Sequence, residues 1–339
     1  MLSLYPITGY SKVDKFYVSA YEATVDRGNA EGTGATSTWK LASVKNNSPR
    51  FRGGNNDSTK DNAYNTQLKM CATNINLTDF RTYARRRKAD STEWNCNTYL
   101  AQKVIYWLYV VEFATRNSQK AVNNNLTTEG YRQGGLGNGV TNANGTNWNN
   151  MFSYYPFTPI GTSDNLGNGT GETSYASIGS DGETAWCTTN VNRYRGIEKP
   201  FGHTWKITDG IHVQVESGDD GKSKVYVSYD PADFNDSGNT GYTYIGDEAR
   251  TNDTWIKEVL FGDDGDILCK AEGGSSSQYF TDKHYCSIPT SGSSLRIILF
   301  GGTSNSGSSA GLVFSRSSHG PSSAGASFGS RLVYNPSII

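Results

Sequence analysis

The sequence has almost no net charge, few histidines and methionines, and no long apolar run. Across 339 residues, 31 Lys and Arg stand against 32 Asp and Glu, a net charge of -1. No sequence-wide field therefore draws the chain to nucleic acid or to an anionic membrane. The apolar run from Val104 to Val111 is far short of the roughly 20 residues a membrane-spanning helix needs. The opening MLSLYPITGYSK has no basic segment leading into an apolar one, so it is not read as a signal peptide, and the chain reads as soluble. Cys71, Cys96, Cys187, Cys269 and Cys286 are odd in number, widely spaced and in no C-x-x-C pair. They indicate neither a zinc site nor a disulfide framework, and are read as buried small apolar residues. The four histidines, His203, His212, His284 and His319, lack metal-ligand spacing; His203 and His212 read as hydrogen-bonding residues near Trp205.

What is abundant is glycine, with 38 residues, and rigid aromatic surface, with 21 Tyr and 7 Trp, while only 19% of residues are charged. That balance is closer to a binding protein than to a metabolic enzyme, and the length suffices for a substantial core.

Along the chain, KFYVSAYEATVD alternates as a strand does, with Phe16, Val18 and Ala20 on one face. Asn76, followed by Asp79, starts a helix over LTDFRTYARRRK. Its run from Arg85 to Lys88 is read as a solvated helix end suited to the macrodipole rather than a nucleic-acid patch. A second helix is expected from Thr98 to Asn117, with Leu100, Val104, Leu108 and Val111 as a stripe widened by Ile105, Trp107 and Phe113. Residues 27–66 and 123–182 are rich in Gly, Asn and Ser or Thr and read as insertions or surface excursions. After residue 183, short strands follow: KPFGHTWKITDGIHVQVESG, KVYVSYD, TWIKEVLFGDDGDILC, SLRIILFGGT and FGSRLVYN. Two helices followed by many strands make an α+β chain.

In AGLVFSRSSHGPSSAGASFGSRL, residues 310–332, the ends (Leu312, Val313, Phe328, Arg331, Leu332) look anchored, whereas Ser315 to Ser323 is small, polar and turn-forming. KFYVSAYEATVD, RGIEKPFGHTWKITDGI and RIILFGGTSNSGSSAG…FGSRL, in that order and spacing, resemble the C-type-lectin-like domains of the formylglycine-generating-enzyme branch, above all the variable proteins of diversity-generating retroelements. This resemblance implies one C-type-lectin-like domain over residues 1–339, of α+β class, with two helices, short antiparallel strands and the long loop insertions already noted. It implies a variable ligand-binding segment at about 301–332, with Thr303, Ser304, Asn305, Ser306, Ser308, Phe314, Ser315, Arg316, Ser317, Ser318, His319, Ser322 and Ser323 as contact positions. Phe314, Arg316 and His319 would be the large contacts. Trp205, Gly301, Gly302, Gly329 and Arg331 would belong to the fixed frame. Diversification in that family alters template adenines and cannot yield Lys, Glu, Gln, Met or Trp at the varied codons; residues 303–327 contain none of the five.

The implied partner is a host-surface protein or glycan receptor, bound from a virion surface or a bacterial cell surface, with a trimer among the assemblies known in the family. The family's oxidase activity needs a C-terminal cysteine pair, and no cysteine follows Cys286, so no enzyme and no cofactor is expected. Asp263, Asp264 and Asp266 around Gly265 could offer oxygens to a structural Ca²⁺, or simply form a turn between two strands. The competing functions are a structural virion or fibre component and a glycan-degrading tail enzyme using two carboxylates.

Overall fold

A computed structural model describes residues 15–45, 48–51, 69–122, 158–178 and 185–336, with the backbone alone described at 177–178, 185–189 and 304–305. The chain is α+β. The first strand, β1 (Tyr17–Glu22), pairs antiparallel with the last, β17 (Arg331–Tyr334), and β17 also pairs with β4 (Trp94–Asn95). Between them lies a sheet with nine strands among the described residues. It runs in the order β10 (Thr243–Asp247), β9 (Ser223–Val227), β8 (Trp205–Glu216), β14 (Ser293–Phe300), β15 (Ser315–His319), β13 (Lys283–Cys286), β11 (Thr254–Val259) and β12 (Cys269–Glu272), while β16 (Phe328–Gly329) pairs in parallel with β8.

Alternation along the two central strands gives the sheet a core on each side. On β14, Ile297 and Leu299 face one cluster with Trp205, Ile207 and helix α1 (Leu77–Arg85), whereas Ile298 and Phe300 face the other with Val213, Val225 and helix α2 (Tyr99–Phe113). On β8 the inward set changes side at a bulge around Gly210, where the register with β14 jumps. Gly210 has φ +77°, and a Cβ there would sit 2.8 Å from the Phe234 ring and from Ser228 O. Only glycine fits that corner. The bulge turns Asp209 toward α1, where Arg81 donates to it from Nε at 2.6 Å and from Nη2 at 3.0 Å.

Helix α1 begins as its sequence predicts, with Asn76 Oδ1 accepting the Asp79 N–H at 2.8 Å. Its basic end is solvated only in part: Arg87 and Lys88 are exposed as expected, Arg85 and Arg86 are half-buried, and the run also makes contacts within the protein. Arg86 Nη1 donates to Thr36 O at 2.7 Å, Arg87 Nη1 to Leu41 O at 3.0 Å, and the Arg87 guanidinium lies 4.4 Å from the Trp94 ring centre. Those cations fasten the helix to a hairpin of β2 (Thr24–Asp26) and β3 (Lys40–Ala42), whose neighbours Trp39 and Leu41 are buried. Part of 27–66 is therefore core-forming; residues 46–47 and 52–66 of that stretch lie outside the described residues.

Helix α2 starts where expected, with Thr98 as its cap, but ends at Phe113 instead of Asn117, and the face turned inward is not Leu100–Val104–Leu108–Val111. Leu108 is 42% exposed and Val111 67%, whereas Tyr99, Gln102, Lys103, Ile105, Tyr106 and Tyr109 are buried. Beyond the helix, β5 (Gly171–Ile178) and β6 (Ala185–Tyr194) form a long hairpin, with β7 (Ile197–Glu198) at its end. Strand β5 falls within the stretch 123–182 read as a surface excursion; 123–157 and 179–182 of it lie outside the described residues. No helix among the described residues is long and apolar enough to cross a membrane.

Candidate ligand-binding face

The segment from Gly301 to Phe328 leaves the centre of the sheet at the end of β14, loops out, and re-enters the sheet as β15. Gly301 and Gly302 have φ +100° and +76°, and a Cβ on Gly302 would lie 2.8 Å from the Phe314 ring. Both glycines are thus favoured by backbone sign, and Gly302 by space as well. A short 3-10 helix, Ser304–Ser309, follows, with the Thr303 N–H donating to Ser306 Oγ at 2.9 Å.

From there the backbone is held by side chains that come from outside the segment. Gln119 Nε2 donates to Gly307 O at 3.0 Å and to Ala310 O at 2.7 Å, and Gln102 Nε2 donates to Leu312 O at 2.7 Å. The Leu312 N–H donates to Ser118 Oγ at 2.9 Å, and both Ser118 Oγ and the Val313 N–H donate to Asp282 Oδ2 at 2.9 Å. Gly311 lies against the same carboxylate: a Cβ there would be 2.1 Å from Asp282 Oδ1. Burial pushes the Asp282 carboxyl up to about 7, against the opposing effect of these donors.

Within β15 the side chains alternate between the interior and the half-exposed face. Ser315 Oγ lies 2.8 Å from His284 Nδ1, and Ser317 Oγ donates to Glu248 Oε1 at 2.5 Å; all four residues are buried. Burial raises the Glu248 carboxyl, and it lowers His284 to about 4, so the imidazole stays neutral. Phe314 is 7% exposed and packs edge-on against Trp205, ring centres 4.7 Å apart. Three expected contact positions are thereby corrected. Phe314, Ser315 and Ser317 are interior groups, and Phe314 is a core residue rather than a large surface contact. Thr303 is also buried, bridged to His203. The stretch Ser315 to Ser323, read as turn-forming, begins as a strand in the middle of the sheet; the turn starts only after His319.

The remaining expected positions do reach solvent: Ser306, Ser308, Arg316, Ser318, His319 and Ser323 are half-buried, and Ser322 is exposed. The side chains of Ser304 and Asn305 lie outside the description. The residues expected to form the frame are packed into the fold. Trp205 is buried; a Cβ on Gly329 would meet Thr204 Oγ1 at 2.7 Å; and buried Arg331 donates to the carbonyls of Ser19, Ala20, Glu198 and Lys199.

On the half-exposed side of β15, Arg316 Nε donates to Ser318 Oγ at 2.6 Å, and its guanidinium lies 4.8 Å from the Tyr285 ring centre. Arg296, from β14, donates through Nη1 to Ser318 O at 3.3 Å. His319 packs edge-on against Phe328 at 4.8 Å. Burial first, then the charges of Arg316 and Arg296, lower His319 to about 4. Sequence reasoning missed Arg296 and Tyr285, which stand outside the 303–327 window; only their strand register brings them to Arg316 and Ser318.

Among the described residues, the one group of three metal-ligating side chains that converges is Glu22, Cys71 and His203, all buried. Its surroundings suit a structural network. Glu22 accepts Lys206 Nζ at 2.6 Å and Thr204 Oγ1 at 2.9 Å, lies 2.6 Å from His203 Nδ1, and has Lys199 Nζ at 3.8 Å. A cation would have to displace an ammonium already on that carboxylate, and burial holds the Cys71 thiol well above its usual range. Asp266 turns inward to Lys103 Nζ, 3.2 Å away, instead of joining Asp263 and Asp264 in the turn.

Compared with known protein families and with curated proteins, the sequence matches none of them.

Proposed function

We propose that this chain is a ligand-binding protein with a C-type-lectin-like scaffold, displaying the segment 303–327 as a variable recognition face for attachment to a host or cell surface. One observation carries the reading: the backbone of the segment is clamped by Gln102, Ser118, Gln119 and Asp282, none of which belongs to it. Seven of the expected contact side chains reach solvent while the path of the segment is fixed from outside, so those side chains can change without removing the bonds that hold the path. Pairing of the first strand with the last, and two helices beside a sheet of mostly antiparallel strands, agree with that scaffold.

The partner would be a surface glycan or protein met at a virion or bacterial surface, with no catalytic role and no required cofactor. The test is to compare this gene across related isolates. Substitutions should concentrate at Ser306, Ser308, Arg316, Ser318, His319, Ser322 and Ser323, spare Phe314, Ser315 and Ser317, and trace to adenines in a nearby template copy. A segment no more variable than α1 and α2 would instead favour a structural virion or fibre component.

A further inference from the structure

The face of the sheet that carries Arg316 continues past the segment onto two strands outside it. Strand β13 pairs in parallel with β15, Tyr285 beside Arg316, and β11 pairs with β13, Trp255 opposite Lys283. Side chains at paired positions share a face, as do alternate residues of one strand. Arg316, Tyr285, Lys283, Trp255 and Lys257 therefore stand on one side of the sheet, opposite to buried Ser315, His284, Cys286 and Ile256. Neighbouring strands are about 4.8 Å apart, so this row covers about 10 Å across three strands.

Each cation of the row lies against an aromatic ring. The Arg316 guanidinium is 4.8 Å from the Tyr285 ring centre, Lys283 Nζ is 5.3 Å from that of Trp255, and Lys257 Nζ is 5.9 Å from that of Tyr279, in the loop after β12. All of these side chains are half-buried or exposed. Positive charge is in surplus: Lys283 pairs with Asp253 at 2.9 Å, and Lys270 with Glu258 at 3.8 Å at the far end, whereas Arg316 and Lys257 pair with no described acid. Contact with a ring fixes the direction of a cation without neutralising it, which leaves less ordering to be done on binding. In a chain of net charge -1, this is a local feature whose charge is complementary to an acidic ligand. Tyr and Trp rings present apolar faces that suit the C–H side of a sugar ring, and the cations suit its carboxylate or sulfate groups.

We propose that Trp255, Lys257, Tyr279, Lys283 and Tyr285 form a constant subsite for an acidic glycan, carrying uronate or sulfate groups, that meets the variable segment at Arg316. The strip itself rests on register and charge; its part in attachment rests on the recognition function proposed above, whose ligand class it names.

Isothermal titration calorimetry of the full chain tests this, with a sulfated tetrasaccharide, a tetragalacturonate, an uncharged tetrasaccharide and single-stranded DNA as ligands. Saturable binding is expected for at least one acidic sugar, about tenfold or more tighter than for the uncharged one, and weakening as salt screens it. Lys257→Ala should weaken that binding about fivefold or more through the lost charge, and Trp255→Ala by a similar factor through the lost ring. Lys222→Ala, an equal loss of charge at an exposed position beside β9, should leave it unchanged. Tyr279→Ala, also at an exposed position, replaces Trp255→Ala should that variant fail to fold. No saturable binding of either acidic sugar, equal binding of the uncharged one, DNA bound as tightly as the sugars, or Lys257→Ala and Lys222→Ala acting alike overturns the subsite. Any of these results leaves the variable face standing if isolates differ at its exposed positions, and an invariant segment beside a working strip would do the reverse.

Discussion

Phe314 gives the sharpest test of how the segment is built. On the surface of a recognition face, truncating it to alanine would change stability by no more than about 0.5 kcal/mol. In the structure it is 7% exposed, edge-on to Trp205, and in the cluster that also holds Ile207, Leu299 and Phe328. Truncation there removes most of a buried ring and leaves a cavity that Trp205 and the Gly302 backbone fill only in part, which costs about 3–5 kcal/mol. With an unfolding entropy of about 2.1 cal/mol/K per residue, that loss corresponds to a fall in Tm of about 4–7 °C for a chain of this length. Differential scanning calorimetry of Phe314→Ala beside Ser322→Ala, an exposed position in the same segment, reads the difference directly. Equal melting temperatures for the two variants would refute the placement of Phe314 in the core, and with it the division of the segment into interior and displayed residues.

Trp205→Ala should lose a similar amount, about 3–5 kcal/mol; a folded variant melting like the parent would contradict its central position. Gly311→Ala should lower the melting temperature and loosen residues 310–313, read as faster amide exchange at Leu312 and Val313, because its Cβ meets the Asp282 carboxylate; unchanged exchange would count against the clamp. Asp282 has its folded pKa raised by burial from its ordinary value near 3.8 to about 7, so its stabilising contribution is complete below about pH 4 and is lost as pH rises toward 7, at about 1.4 kcal/mol per pH unit. Asp282→Asn should flatten that part of the pH–Tm curve, and an identical slope in both proteins would disprove it. Replacing Asp266 by Asn leaves Lys103 buried without its carboxylate and should cost about 3–5 kcal/mol, as measured by urea unfolding.

Much of the fold was legible because local signals were strong. The Asn76 cap, the start of α2 at Thr98 and the strand-rich second half stand where their residue types put them, whereas the face expected of the first strand does not: Ala20 is exposed, Glu22 is buried, and the register with β17 shifts between Val18 and Glu22. The inward face of α2 was not legible by period. Two stripes, Leu100–Val104–Leu108–Val111 and Tyr99–Gln102–Tyr106–Tyr109, share helical spacing, and hydrophobicity favours the wrong one. Tertiary partners decide it: Tyr99 Oη accepts the Ile267 N–H at 3.0 Å, Gln102 reaches Leu312 O, and Lys103 reaches Asp266. Each of those polar ends would be stranded if the helix were turned the other way. The fastening of Arg86 and Arg87 escaped notice for the same reason, since their carbonyl acceptors lie more than 40 residues away in sequence.

The candidate face shows why the window was visible and its internal division was not. Glycine pairs and an anchored Arg331 mark a frame in any reading, but serine has little strand preference, so a Ser-rich stretch looks like a turn. Here serine is chosen for size and hydroxyl: at Ser315 and Ser317 it fits in a packed interior and meets His284 and Glu248, two groups the sequence gives no cause to place beside it. Strand periodicity then divides neighbours by fate. An inward position accepts only a small hydrogen-bonding side chain, because a larger one overpacks the core and an apolar one strands a buried partner, whereas Arg316 and Ser318 between and beyond them carry no such restriction. A segment that varies for recognition while crossing the middle of a sheet must therefore vary in alternation, so the pattern of tolerated substitutions along 314–319 tests the fold and the function together.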